Sequence, residues 1–210
     1  MWRTKTLPFE PIVEWGLQAI FGLSVDGVQK LHLDPDGLGD MYENQHVYFR
    51  DALAPGPNLA QATQAFLDYL VVDVESFSQQ VTAAPGSKVQ VGLMSWVRNR
   101  LAIPSTNAFM GPKLLQYDPD IISRLSRWEG DFVTLSMGLP RWLLKATHDN
   151  LDKIHHDFAW IGKDPDMLPW LTRRIDMMAV RGMNEKDTGA SVFTLWMAYV
   201  LYAPLYSITN

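Results

Sequence analysis

A chain of 210 residues with 47% hydrophobic and 20% charged residues has the composition of a globular protein with a sizeable core. Its formal net charge is -5 and its 18 basic residues are scattered, which excludes the clustered cationic face that a nucleic-acid partner requires. The absence of cysteine excludes disulfides, zinc–thiolate sites, iron–sulfur clusters and cysteine nucleophiles.

The sequence reads as all-α, with no internal repeat. Met1 to Glu10 carries Arg3 and Lys5 with no apolar run behind them, so it reads as neither a signal peptide nor a membrane anchor. Pro11 to Phe21 and Ser24 to Leu31 read as short helices, followed by a turn at Asp34-Pro35-Asp36-Gly37. Leu59, Ala62, Phe66, Leu70, Val74, Phe77 and Val81 recur every three or four residues with polar residues between them. This is the stripe of one amphipathic helix, begun by Asn58 as N-cap and ended before Pro85-Gly86. A second helix is expected from about Lys88 to Ala108, burying Val89, Leu93, Trp96 or Val97, and Leu101, with Pro104 kinking or restarting it.

Asp118-Pro119 marks the start of a third helix with Ile122, Leu125, Phe132 and Leu135 inward, stopped by Gly138-Leu139-Pro140. A fourth, Arg141 to Gly162, is expected to bury Leu143, Ala146, Leu151, Ile154, Phe158 and Ile161, and a fifth covers about Pro169 to Val180. The sixth begins at Asn184 with Asp187 in the capping-box position and runs to about Pro204. Nearly its whole circumference is apolar, as in the central member of a bundle or a membrane span, and residues 189–210 carry no charge.

Familiar chemical motifs fail on inspection. Asp34, Asp36 and Asp40 suggest a calcium loop, but Leu38 and Gln45 occupy positions that need oxygen ligands. Gly22-Leu23-Ser24-Val25-Asp26-Gly27 is one residue too long for a nucleophile elbow. His148, Asp152 and His155 share a helix face with metal-like spacing, yet Asn150, Lys153 and Asp157 around them favour a solvated polar face. His155-His156-Asp157 is likewise read as part of a solvated polar face in preference to a proton relay.

Several segments in order carry a resemblance. They are Phe21-Gly22-Leu23-Ser24-Val25-Asp26-Gly27-Val28; His46-Val47-Tyr48-Phe49-Arg50-Asp51-Ala52-Leu53-Ala54-Pro55-Gly56-Pro57-Asn58-Leu59; Pro104-Ser105-Thr106-Asn107-Ala108-Phe109-Met110-Gly111-Pro112; Met137-Gly138-Leu139-Pro140; and Arg181-Gly182-Met183 followed by Leu195-Trp196 and Pro204. In that order and spacing the chain resembles a cytochrome P450 of the fungal group similar to sterol 7α-hydroxylases and prostacyclin synthase. The resemblance implies a single incomplete helical domain over residues 1–210, without the family's N-terminal anchor and first strands and ending in its long central helix. It implies a parent activity of heme-dependent monooxygenation on a hydrophobic sterol-, terpenoid- or lipid-like substrate. An electron-donor reductase would be the partner, and the endoplasmic reticulum membrane the location of the full-length family.

Matching the central helix implies Leu195, Trp196, Tyr199, Val200 and Ala203 as substrate-pocket candidates. Two departures matter. The Glu-x-x-Arg pair and the heme-ligating cysteine loop of the family are not in these 210 residues, so no thiolate-held heme and no catalytic residue are expected of this chain. Val200 and Leu201 stand where the family is small and polar, and neither can donate a proton or hold a water. The chain is expected to be an inactive P450-like fragment. The alternative is a non-enzymatic helical protein whose apolar C-terminal segment allows membrane association.

Overall fold

Pro, Gly and capping residues punctuate the chain, and among the described residues the segments between them form helices. The computed structural model describes residues 10–35, 37, 54–164 and 169–209; for Trp170 and residues 198–209 it describes the backbone alone. Among the described residues the regular structure is wholly helical. The α-helices are α1 (Glu10–Ala19), α2 (Val25–Leu31), α3 (Pro57–Ala83), α4 (Leu93–Met110), α5 (Lys113–Tyr117), α6 (Ile121–Leu135), α7 (Lys145–Ile161), α8 (Pro169–Val180) and α9 (Glu185–Thr209). A 3-10 turn, Pro85–Ser87, follows α3.

The central pair is α7 and α9. Leu151, Ile154, Phe158 and Ile161 line the inner face of α7 and are buried, while Val192, Phe193, Trp196 and Met197 oppose them from α9. Helix α9 also packs on α4 and α8, and α6 covers α7 from the other side. Aromatic rings fill the centre: Trp128 meets Phe193 edge to face with centroids 4.9 Å apart, and Phe21 closes over both. The indole N–H of Trp128 donates to the Ile20 carbonyl at 3.1 Å, which satisfies the buried polar atom and ties the end of α1 to α6. A smaller core joins Leu17, Leu23, Val28 and Leu31 to Met177, Met178 and Ala190.

Several expectations are corrected. Helix α4 starts at Leu93, not Lys88, and runs through Pro104 as one helix. Its first half is not a core face: Val89, Leu93, Val97 and Leu101 are exposed, whereas Pro104, Thr106, Ala108 and Met110 are buried. The reason is the partner. That half meets α3, whose predicted stripe faces α4 at half-burial, with no fully buried residue and Val74 outward. Two helices paired this way leave much apolar surface in solvent. The third helix begins at Ile121 and the short α5 precedes it; Phe132 is exposed while Trp128 takes the core position. Residues before Lys145 turn instead of extending α7, which leaves Leu143 and Ala146 outside the core.

Along α9, residues Ala190, Val192, Phe193, Leu195, Trp196 and Met197 are buried within the protein. Among the described residues no helix is long and apolar enough to cross a membrane. The rest of the uncharged segment lies beyond the described side chains.

Helices α7 and α9 approach closely because residue 189 is glycine. A Cβ there would overlap the carbonyl oxygen of His155 and sit 3.2 Å from the Cβ of Ala159. In an ordinary helix Gly→Ala stabilises by about 1 kcal/mol. Here Gly189→Ala is expected to destabilise by about 2 kcal/mol, because the helices must part to admit the methyl group. Urea unfolding checks the sign.

Candidate functional site

Helix α9 is held at its start by a cap network that reaches across the sequence. Ser24 is the N-cap of α2, its Oγ accepting from the Gly27 N–H at 2.9 Å. The same residue donates its backbone N–H to Asp187 Oδ1 at 2.7 Å and its hydroxyl to Oδ2 at 2.6 Å. Asp187 is the expected capping-box partner of Asn184: its N–H donates to Asn184 Oδ1 at 2.8 Å, and the Asn184 amide returns a bond to Oδ2 at 2.6 Å. Three donor bonds and the N-terminal end of α9 stabilise a carboxylate that is only 1% exposed.

Gly27 is required by this arrangement, since a Cβ would lie 2.6 Å from the Asp187 carboxyl carbon. Lys30 Nζ donates to the Gly182 carbonyl at 2.8 Å, and Arg181 Nε to the Leu33 carbonyl at 3.0 Å. The segments around 21–28 and 181–187 therefore form one joint. Ser24 gives its proton to a carboxylate and not to an imidazole, so it serves as a cap and not as a nucleophile.

The histidines and carboxylates of α7 are dispersed. Asp152 takes ion pairs from Arg141 and from Lys186, the latter at 2.9 Å. Burial works to raise its pKa, but the hydrogen bonds from Lys186 and Arg141 outweigh that and hold it below the usual carboxylate range. His148 is lowered by burial and by the nearby Arg141 charge. His155 turns inward, its Nε2 bonded to the Phe21 carbonyl at 2.9 Å and its Nδ1 without a hydrogen-bond partner. Gly22, at φ 70°, leaves room for this ring, since a Cβ would lie 2.8 Å from His155 Cε1.

Among the described residues no group of three or more histidines and carboxylates is placed to hold a metal. Neither His148, Asp152 and His155 nor His155, His156 and Asp157 act together: His156 is exposed beside Tyr117, and Asp157 is buried facing Asp118. The reading of this stretch as a uniform solvated face is corrected as well, because Asn150, His155 and Asp157 are all buried.

Leu195 and Trp196 are each 3% exposed. Trp196 donates its indole N–H to Thr106 Oγ1 at 3.2 Å and packs against Phe158 and Phe193. Both residues fill the core instead of lining an open cavity. The side chains of Tyr199, Val200, Leu201 and Ala203 lie outside the described residues. A cleft of about 530 Å³ lies elsewhere, between the end of α3, residues 87–91 and the start of α4. Phe77, Val81, Val89, Val91 and Trp96 line it, and the Arg100 guanidinium lies over Phe77 at 5.0 Å while pairing with Asp73. The signal for it was Val89 and Val91 alternating after the Pro85-Gly86 break, a pattern of extended chain.

A heme bound through a thiolate does not fit this donor set. The chain has no cysteine, and of its histidines His155 is buried on a carbonyl, His32 sits 3.3 Å from Glu14, and His46 lies outside the described residues. In comparisons with family models, curated proteins and solved structures, nothing matches the chain.

Burial of His155 lowers its pKa from 6.5 to about 4, with Lys186 adding to the effect. The unfolded chain therefore takes up this proton first as the pH falls. The contribution is fully present above pH 6.5 and is lost toward pH 4. It amounts to roughly 3 kcal/mol. His155→Gln is expected to remove this acid-side loss, as judged from urea midpoints measured between pH 4 and 7.

Proposed function

We propose that this chain is a cytochrome P450-like helical protein that carries part of the substrate-facing helices of that architecture without an oxygen-activating centre. The parent activity is heme-dependent monooxygenation of a hydrophobic substrate of sterol, terpenoid or lipid type. A reductase supplies the electrons, and the full-length family resides at the endoplasmic reticulum membrane. Leu195, Trp196, Tyr199, Val200 and Ala203 belong to the helix that would face the substrate.

The observation that carries this reading is the position of α9. Its apolar first half is walled by α4, α7 and α8, and its start is anchored by Ser24, a residue of the first segment that bears the resemblance. A helix apolar on every side needs such surroundings. The order of the resembling segments accounts for why this helix, and not another, is central. Residues 1–210 offer no thiolate, so within them the helix acts as scaffold and not as the wall of a reaction chamber.

The family reading is tested on the transcript that encodes the chain. A reading frame continuing past Asn210 into a Glu-x-x-Arg pair and a cysteine loop is the expected result, and an unrelated downstream frame overturns it. For the chain itself, residues 1–210 supplied with heme are expected to show no thiolate-type Soret band in the reduced, carbon-monoxide-bound spectrum. They are expected to show no hydroxylation either. A thiolate-type band with turnover would contradict the absence of a ligand.

A further inference from the structure

Helix α3 is 27 residues long, and none of them is buried. Its contact with α4 runs along one row of side chains. Phe77 packs on Trp96 with ring centroids 5.2 Å apart, and Asp73 pairs with Arg100, so the two helices are antiparallel. A helix turns about 100° per residue, and the positions one past that row therefore stand roughly at right angles to it. On α3 these positions hold Leu67, Val71 and Val74; on α4 they hold Val97 and Leu101, with Leu93 one turn earlier. Because the helices are antiparallel, both stripes turn to the same side of the hairpin. All of these side chains are exposed, from 37% at Val97 to 69% at Leu93, so that side is one uncovered apolar face.

The charges divide between the two helices. Helix α3 carries Asp68, Asp73 and Glu75 and no cation, whereas α4 carries Arg98 and Arg100 and no acid. Asp73 and Arg100 neutralise each other inside the hairpin. The remaining charges lie two positions past the contact row, which places them on the outer edges: Asp68 and Glu75 along α3, Arg98 along α4. Asp68 accepts from Gln64 on its own helix at 2.8 Å, and Arg98 lies 3.5 Å from Glu129 with both side chains half exposed. The face is thus apolar in the middle, negative along one edge and positive along the other.

We propose that this face pairs with the same face of a second copy of the chain about a two-fold axis parallel to the helices, with α3 of each copy lying on α4 of the other. An axis across the helices would set α3 on α3 and bring acid against acid. The parallel axis brings Asp68 and Glu75 to Arg98 of the second copy, and does so twice. It also closes the two apolar faces into one layer between four helices. A foreign partner would have to supply both stripes and both edges, whereas this surface carries its own complement. The pairing uses α3 and α4 alone and requires nothing of the P450-like reading.

Sedimentation velocity on the 210-residue chain at micromolar concentration is expected to show a closed dimer. Val71→Glu puts a charge in the middle of the face and is expected to weaken dimerisation about a hundredfold. Val71 is 54% exposed, so the helical content of that variant should match the wild type by circular dichroism. Should it not fold, Leu101→Glu on the facing helix takes its place. Glu75→Lys and Arg98→Glu should each raise the dissociation constant about tenfold, since each reverses two symmetry-related contacts. The double variant should return it to near the wild-type value, which a face covered in any other way would not produce. A monomer, an assembly that grows past two copies with concentration, a dimer indifferent to the charged variants, or charge swaps that do not compensate would each overturn the proposal.

Discussion

Helix α9 meets α7 at Gly189, and the missing side chain lets the two backbones come together beside the carbonyl of His155. The rest of the core follows from that approach. With the helices this close, Phe193 reaches Trp128 and Phe158 across the seam, and Trp196 lies near enough to Thr106 to satisfy its indole N–H. The same approach carries Asp187 to the N-cap of α2, so the first helices of the chain are fastened to the start of the last one. A wider separation would leave Asp187 as a buried charge without its donors, which is costly in a low-dielectric interior.

Helix α7 carries two buried ionisable groups two residues apart, and at 3.6 residues per turn they point to opposite sides. His155 faces the Phe21 carbonyl and burial holds its pKa down to about 4; burial, with Asp118 beside it, pushes Asp157 up to about 7. Their effects on stability run in opposite directions. The histidine contribution is lost as the pH falls from 6.5 to about 4, whereas the aspartate contribution is complete below 3.8 and is lost as the pH rises to about 7. Between those limits each masks the other. A nearly flat pH profile of the whole protein would therefore hide two strong local dependences.

Periodicity and punctuation made the helices readable. The bounds of α8 and the Asn184–Asp187 capping box follow from local residues, whereas α3 begins at Pro57 after Gly56 and not with Asn58 as its N-cap. Burial depth was less readable because it depends on what covers a face. The stripe from Leu59 to Val81, Val74 apart, faces the first half of α4, yet that half is itself largely exposed, so the stripe reaches no core, while the second half of α4 does. The Asp118–Asp157 pair was out of reach for another reason. His155, His156 and Asp157 read as one polar run, and only the turn of the helix and the arrival of residue 118 distinguish a buried acid from an exposed one.

The candidate pocket residues show what a resemblance to a helix can and cannot supply. Apolar side chains that would face a substrate and those that pack a core obey the same selection, since both remove surface from water. Leu195 and Trp196 are packed against neighbours here, so their apolar character is already explained by the fold. A residue that only a ligand would explain has to carry a polar group pointing into empty space or a donor set matched to a metal. Residues 1–210 supply neither a thiolate nor, among the described residues, a metal-holding cluster. The proposed relationship to the P450 family therefore rests on the ordered segments and the helix they surround, and the chemistry of that family would have to come from residues outside these 210.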